Sequence, residues 1–428
     1  MKEYDVICIG AGVSGLYLGY RMARDNPEKS LLILEKMDRI GGKIVSVPMS
    51  GNVPYNAEGC AQRFTEDQET VQSLLRRYNI GSTEIPTISY STSDSDLLGE
   101  IRNIYEDKPN LHSISNLDAI VNTPDVQNGN YDNLKTVAEL LGYTNETYLK
   151  NVQTFIESVS NVINSRQFYP DGGFTRLIEA LAHEVSQKYD IRIKSEVLTI
   201  DRLDNGMFLV KTRNSQYLCK HIVFTGNRHQ LNLIGGNSMD IRELKDKLYE
   251  YAGVDKTYIR MFMEVSDPWW NRDEIGTVMN TDGPLNSLHI MSDNTLCVYC
   301  DQKNAELLYY LVPQELRHLG VDTINWIPSV LMKRLNDFLS KYVYQLYQDL
   351  VNKPPTSPGE VRINRIAFKY TKQAVLNYAP LPVPIEQFTE QLNSFRNIHL
   401  ISDSYYYRQG WIQYCLDCVD DSYSSILS

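Results

Sequence analysis

Asp5-Val6-Ile7-Cys8-Ile9-Gly10-Ala11-Gly12-Val13-Ser14-Gly15-Leu16-Tyr17-Leu18-Gly19-Tyr20-Arg21-Met22-Ala23-Arg24-Asp25, followed by Leu31-Leu32-Ile33-Leu34-Glu35, decides the fold of this 428-residue chain. The run Asp5–Ile9 is apolar and rich in β-branched residues, as a buried strand is, and the apolar residues after Gly15 recur at helical spacing. Leu31–Glu35 reads as a second buried strand, so about 35 residues hold a βαβ unit, the start of a doubly wound parallel sheet. Gly10, Gly12 and Gly15 stand between strand and helix, with Glu35 twenty residues after Gly15 at the end of the next strand. In that setting the first glycine makes the turn, the second admits a pyrophosphate close to the backbone, and the third packs helix on strand. Val13 and Ser14 open the helix whose N-terminal NH groups face the phosphates, and Glu35 is placed to accept ribose hydroxyls.

Working outward, residues 67–78 read as an amphipathic helix with Val71, Leu74, Leu75 and Tyr78 on one face. Residues 81–130 are rich in Ser, Thr, Asp and Asn and predict irregular structure, and 133–164 predict helix. Strands are expected within 191–212, at His221–Gly226, at 257–265 and at 295–300. The stretch 305–350 is mostly helical with a break near Pro328, residues 354–358 and 380–384 are Pro-rich loops, and the chain closes with a strand, a turn and a helix. No internal repeat or low-complexity tract is found.

Composition bounds the function. Hydrophobic residues at 42% and charged residues at 22% are those of an ordinary folded protein. A formal net charge of −11, with no run of Lys or Arg longer than the pair Arg76-Arg77, argues against nucleic acid and acidic membranes as partners. Seven Cys, an odd number in a long chain, favour a reducing compartment. The N-terminus lacks the features of a signal peptide, and no apolar run approaches the roughly 20 residues of a membrane span. A cytoplasmic, soluble protein is expected. Cys297-x-x-Cys300 lies on an expected strand, where i and i+3 point to opposite faces, so neither it nor Cys415-x-x-Cys418 is read as a metal site. The seven His show no ligand spacing, and Asn145-Glu146-Thr147 is a glycosylation sequon without meaning unless the chain is secreted.

The segment Glu35-Lys36-Met37-Asp38-Arg39-Ile40-Gly41-Gly42-Lys43 resembles the second FAD motif of the flavin amine oxidase superfamily, where a glycine pair and a basic residue lie against the cofactor phosphates. Lys43 stands where that family usually has Arg, keeping the charge and losing the planar fork. Phe168-Tyr169-Pro170-Asp171-Gly172-Gly173-Phe174 resembles the segment returning the chain to the FAD domain, and the strand of Val197 resembles the one clamping adenine. Pro268-Trp269-Trp270 resembles an element of the substrate domain. Ser402-Asp403 with Gly410-Trp411-Ile412 resembles the closing motif, in which an acid bonds the ribityl chain and the Trp borders the isoalloxazine. After it, Gln413 replaces an acid and Cys418 a small residue.

Within that superfamily the pattern is similar to the L-amino-acid oxidases, those acting on L-tryptophan included. The resemblance implies an α/β fold: a Rossmann-type FAD-binding domain made of 1–75, 166–235 and 395–428, with an interleaved α+β substrate-binding domain made of 76–165 and 236–394. It implies non-covalent FAD, since Val375, Leu376 and Asn377 occupy the stretch where covalent relatives carry Cys. Arg63, one residue farther from its glycine than usual, matches an Arg that grips the substrate carboxylate and borders the cofactor, the alternative being an Arg at a solvated helix start. Tyr299 matches a substrate-contacting Tyr, with a core-strand Tyr as the alternative. Arg260 falls where the oxidases keep a Lys near flavin N5, so a fixed charge survives there and a base role does not. The expected activity is oxidation of an L-amino acid or related amine, with oxygen as second substrate and peroxide as product. A carboxylate-free amine oxidase, a desaturase, and a flavin-binding protein without oxidase activity stay open, as does a homodimer.

Overall fold

The computed structural model describes residues 1–50, 56–85, 113, 166–271, 275–276, 278–280, 284–321, 323–351, 361–378, 380–393 and 395–428. The helix expected over 133–164 and the sequon at Asn145 lie outside them.

Alternation along Lys2–Ile9 organises the first half of the molecule. Val6 and Cys8 enter one apolar cluster, with the helices Val13–Asp25, Phe174–Ser186 and Ile412–Leu427. Ile7 and Ile9 enter another, with Met239–Tyr251 and Ile385–Asn393. A strand covered on both faces must be apolar at every position, which is why this run reads as continuous rather than alternating. Lys2–Ile9 pairs in parallel with Leu31–Leu34 on one side and Gln216–Phe224 on the other. Asp190–Arg192 and Ile398–Leu400 extend the parallel set outward, and the antiparallel strands Phe208–Thr212 and Val197–Arg202 hang from the first half of Gln216–Phe224. The result is a seven-stranded, doubly wound sheet. Met239–Tyr251 and Ile385–Asn393 fall in the 236–394 stretch expected on the substrate side, yet their apolar faces (Ile241, Leu244, Leu248; Ile385, Phe388, Leu392) cover this sheet.

The second sheet has six antiparallel strands in the order Val278–Asn280, Ser287–Ile290, Thr295–Asp301, Ala252–Ser266, Arg362–Tyr378, Ile327–Pro328. Its two longest strands have 15 and 17 residues. One face is core: Ile259, Met261, Met263, Leu288, Val298, Ile366 and Phe368 pack against the helices Gln302–Leu311 and Lys333–Val351. The other face carries the polar residues described below. The break expected near Pro328 is present, as the short strand Ile327–Pro328 followed by a 3-10 turn. Among the described residues no helix is long and apolar enough to cross a membrane.

Two buried histidines join strands of the first sheet. His221 Nδ1 lies 3.3 Å from His399 Nε2, and His399 Nδ1 lies 2.7 Å from the Asn393 carbonyl oxygen. Burial lowers both rings' pKa values, His399 to about 4 despite the Asn393 carbonyl, with His221 adding to the decrease. The folded value lies below the ordinary 6.5, so the stability tied to the neutral ring is complete above that pH and is lost as pH falls through 6.5 toward 4. For His399 the loss reaches about 3 kcal/mol, since each pH unit between the two values is worth ~1.4 kcal/mol. Urea unfolding of wild type and His399→Asn between pH 7 and 4.5 checks this: the wild type should lose stability more steeply, and parallel curves would acquit the histidine.

Candidate functional site

The glycine loop closes by contacts that only backbone can make. A Cβ on Gly15 would collide with the Gly10 carbonyl oxygen, so the first turn of Val13–Asp25 lies directly on the loop. A Cβ on Gly12 would meet no protein atom within 4 Å. Gly12 caps the helix with no side-chain bond to the first-turn NH groups, and no acid occupies that turn. Uncapped NH groups beside open space form a cradle that suits an anionic group. Val13 and Ser14, both buried, form its first turn.

Glu35 is buried and uses both carboxylate oxygens on the loop: Oε2 accepts from Ala11 NH at 2.9 Å and Oε1 from Met37 NH at 2.8 Å. It sits at the end of its strand as expected, and its carboxylate is also what holds the glycine turn against the next loop. The Ser195 and Lys194 NH groups reach the Glu35 and Met37 carbonyls at 2.8 and 2.7 Å. Val197, two residues on, is thereby set beside this corner and buried. Lys36 is exposed.

The second glycine pair packs on the first. Gly41 NH donates to the Ala11 carbonyl at 2.8 Å, and Gly42 faces the Gly12 Cα. Arg39 holds this turn through the Ile40 and Gly42 carbonyls, at 3.0 and 2.9 Å. Lys43 then reaches across the molecule to Asp403, with Nζ 3.2 Å from Oδ1. Burial lowers the Lys43 pKa, but Asp403 together with Cys60, Tyr258 and Cys415 outweighs it and holds the ammonium above the ordinary lysine range. Gly410 and Trp411 lead into the helix Ile412–Leu427, with Ile412 its first residue. Gln413 has a role of its own: its Oε1 accepts from Val71 NH at 3.1 Å, near the start of the helix Glu69–Arg77.

Strand pairing fixes the other wall. Ser287, Tyr299, Arg260 and Lys369 are register partners across four strands, and His289, Cys297, Phe262 and Ala367 form the neighbouring row on the same face. Side chains two apart on a strand share a face, so the polar row lies beside a second row whose Cys297, Phe262 and Ala367 join an apolar cluster. Arg260 donates through one nitrogen to the Glu58 and Cys60 carbonyls at 3.0 and 2.5 Å, and its guanidinium lies 5.0 Å from the Tyr299 ring centre. Tyr299 stacks on Tyr258, whose hydroxyl is 2.9 Å from Cys60 Sγ. Lys369 is buried and donates to the Val321 carbonyl. Glu58 is also buried. Burial raises its carboxyl pKa to about 8 against opposing pulls from Ser46, the Phe174 NH and Arg260, so it is mostly uncharged near neutral pH.

Arg63 lies between Gly59 and the strand Phe64–Thr65, half-buried and in no helix. Among the described residues it has no hydrogen bond and no ion pair, yet its charge is felt at His289, which also feels Arg260. Arg63, Arg260 and Tyr299 therefore belong to one neighbourhood. Glu58, Tyr258, His289 and Lys369 were not legible beforehand, although period-two alternation in Ser287–Ile290 and in Arg362–Tyr378 was a usable signal.

Three comparisons fit this geometry. The signature of NAD(P)-binding Rossmann-like domains matches residues 8–78. An uncharacterised protein of Acanthamoeba polyphaga mimivirus is 18% identical over 500 aligned positions, covering 98% of this chain and 93% of its own. Wild-type putrescine oxidase bound to putrescine superposes with a TM-score of 0.68 at 12% identity, over 100% of this chain and 99% of its own. A triple mutant of that enzyme, from a redesign of its cofactor binding, gives 0.69 at 12% identity over 99% of each chain. The chain thus has the fold of the flavin amine oxidases: a Rossmann-like domain with a mixed α/β remainder.

Gly12→Val should leave the fold intact, since no protein atom lies within 4 Å of a Cβ there, and should block a nucleotide from the helix N-terminus by filling the space in front of it. Circular dichroism and the absorbance of any cofactor released by heat measure the two effects. Gly15→Ala should lose both together.

Proposed function

We propose that this chain is an FAD-dependent oxidase of L-amino acids. The observation carrying the reading is Arg63: a half-buried guanidinium with no partner among the described residues, beside a face that already carries Arg260 and Lys369. A planar guanidinium suits a carboxylate because two parallel charge-assisted bonds fix its position and orientation together.

The residues present fit FAD. The open cradle at Gly12 and the uncapped NH groups of Val13 and Ser14 suit a pyrophosphate, with Gly10, Gly15 and Gly42 shaping the turns around it. Glu35 and Lys36 border the ribose, Val197 the adenine, Lys43 and Asp403 the inner phosphate and ribityl chain. Gly410, Trp411, Ile412 and Arg63 line the flavin end, and no covalent link is invoked. Bound there, FAD supplies hydride acceptance from the substrate Cα and electron return to oxygen, which leaves as peroxide. The protein's part is orientation and electrostatics. Arg63 holds the carboxylate, Tyr299 bounds the substrate, and Arg260, braced by two carbonyls, keeps a fixed positive charge beside the reacting centre.

Charge also separates this reading from a diamine oxidase. Putrescine carries two ammonium groups, and here they would meet Arg63, Arg260 and Lys369 while Glu58 stays largely uncharged. Like charges a few ångströms apart in a water-poor site repel by several kcal/mol. The homodimer and the cytoplasmic location are proposed on the sequence alone.

A peroxide-coupled assay against the twenty L-amino acids and common amines, putrescine included, tests the reading. Turnover confined to amines, or flavin reduced by none of them, would overturn it. Arg63→Ala should cost about 1.5 to 3 kcal/mol, the usual worth of a hydrogen bond to a charged group. That is roughly ten- to hundredfold in KM for the best amino acid with kcat largely kept; an unchanged KM assigns Arg63 to structure.

A further inference from the structure

The hairpin of Ser46–Pro48 and Asn56–Glu58 touches both halves of the molecule at the candidate site. Side chains alternate along the second of its strands. Ala57 enters the apolar cluster of Phe262, Cys297 and Ala367 on the six-stranded sheet. Asn56 and Glu58 face the other way, onto the turn that opens the helix Phe174–Ser186. Asn56 Nδ2 donates to the Gly172 carbonyl at 2.9 Å, and Glu58 Oε1 accepts from Phe174 NH at 3.3 Å. Gly173 precedes that helix with no side chain to cap it, and a Cβ there would collide with Glu58 Oε1. The carboxyl thus fills the space of a capping side chain and serves the first NH group of the helix from a distant strand. Its Oε2 lies 2.8 Å from Ser46 Oγ, which lies 2.7 Å from Thr175 Oγ1 in the first turn of the same helix.

The main chain of Glu58 faces the second sheet. Its carbonyl oxygen and that of Cys60 accept from one Arg260 nitrogen at 3.0 and 2.5 Å. Both acceptors are neutral, and among the described residues no carboxylate pairs with the guanidinium, so the brace fixes the charge without cancelling it. A carboxyl only 1% exposed is costly to bury unless its hydrogen bonds are made. Near neutral pH Glu58 is mostly uncharged, and an amide of the same shape can make the same bonds, its oxygen accepting from Phe174 NH and its nitrogen donating to Ser46.

We propose that Glu58 is the positioning residue of Arg260: its carboxyl anchors the strand Asn56–Glu58 to the start of the helix Phe174–Ser186, and its carbonyl holds the guanidinium at the flavin end of the site. This role rests on Arg260 lying beside the reacting centre, as in the function proposed above. Helix, hairpin and guanidinium then form one unit, and slack at the helix start is felt at Arg260.

The test measures the flavin reduction potential of the full chain with its FAD, by equilibration with a dye of known potential, which needs no substrate. Circular dichroism and flavin content are checked for each variant. A fixed positive charge favours the reduced cofactor, which gains negative charge, so Arg260→Met should lower the potential. Glu58→Ala should reproduce most of that fall with Arg260 intact, Ser46→Ala a smaller part of it, and Glu58→Gln should keep the wild-type value. In the double variant Glu58→Ala/Arg260→Met the two falls should not add, because both act through one guanidinium. Additive falls make Glu58 structural and overturn the proposal, as does an unmoved potential in Glu58→Ala, or a fall in Glu58→Gln equal to that in Glu58→Ala. Should Glu58→Ala not fold, the same cycle with Ser46→Ala decides the matter. An unmoved potential in Arg260→Met takes Arg260 away from the flavin and overturns its part in the proposed function as well.

Discussion

The contact of Gly15 with the Gly10 carbonyl is the constraint on which the candidate site depends. With no side chain between them, the helix Val13–Asp25 starts directly on the end of its strand and its first-turn NH groups point out of the turn. Glu35 then closes the loop by accepting from Ala11 and Met37, and Gly41 docks on the Ala11 carbonyl. A bulkier residue at any of these close approaches would push apart layers that meet through backbone alone. The geometry of the anion cradle is thus inherited from packing between glycines rather than from any one ligating side chain.

That local character explains what could be read in advance. A strand, a glycine turn, a helix and a second strand are neighbours in sequence, so the parallel core, its crossover and the cradle were legible from residues 5–35, and the closing strand, turn and helix from the last 30 or so. Ala252–Ser266 and Thr295–Asp301 were also found as strands, because they alternate. Arg362–Tyr378 was not, although it alternates too: Arg365, Lys369 and Thr371 break its apolar signal on the face that meets the site. Met239–Tyr251 and Ile385–Asn393 went unread as helices.

The candidate site divides in the same way. Arg63, Arg260 and Tyr299 were singled out by resemblance, and pairing registers set Arg260 and Tyr299 side by side. Glu58, His289 and Lys369 had no legible role because their meaning comes from company: an acid made neutral by burial, an imidazole held off its proton by burial and then by two guanidinium groups, an ammonium buried on the face of a sheet. Gln413, a departure from the expected acid, serves the start of a neighbouring helix. In a chain of net charge −11, this face sets Arg260, Lys369 and Arg365 beside Glu264 and Asp301.

The Lys43–Asp403 pair joins residues 360 positions apart. Near it the last helix is fastened to the first: the Tyr17 hydroxyl reaches Asp420 at 3.1 Å, Arg21 meets the same carboxylate, and the Tyr423 hydroxyl reaches Asn26 at 2.9 Å. On the ribosome, therefore, the residues of the glycine cradle all emerge within the first few dozen, but its far wall does not exist until nearly the whole chain has emerged. Contacts of such sequence separation form late and slowly. A cofactor seated on the early half-site would have nothing to retain it, so its capture and the completion of the fold become a single late event, and the newborn chain must keep its open sheet edge from other partners until then.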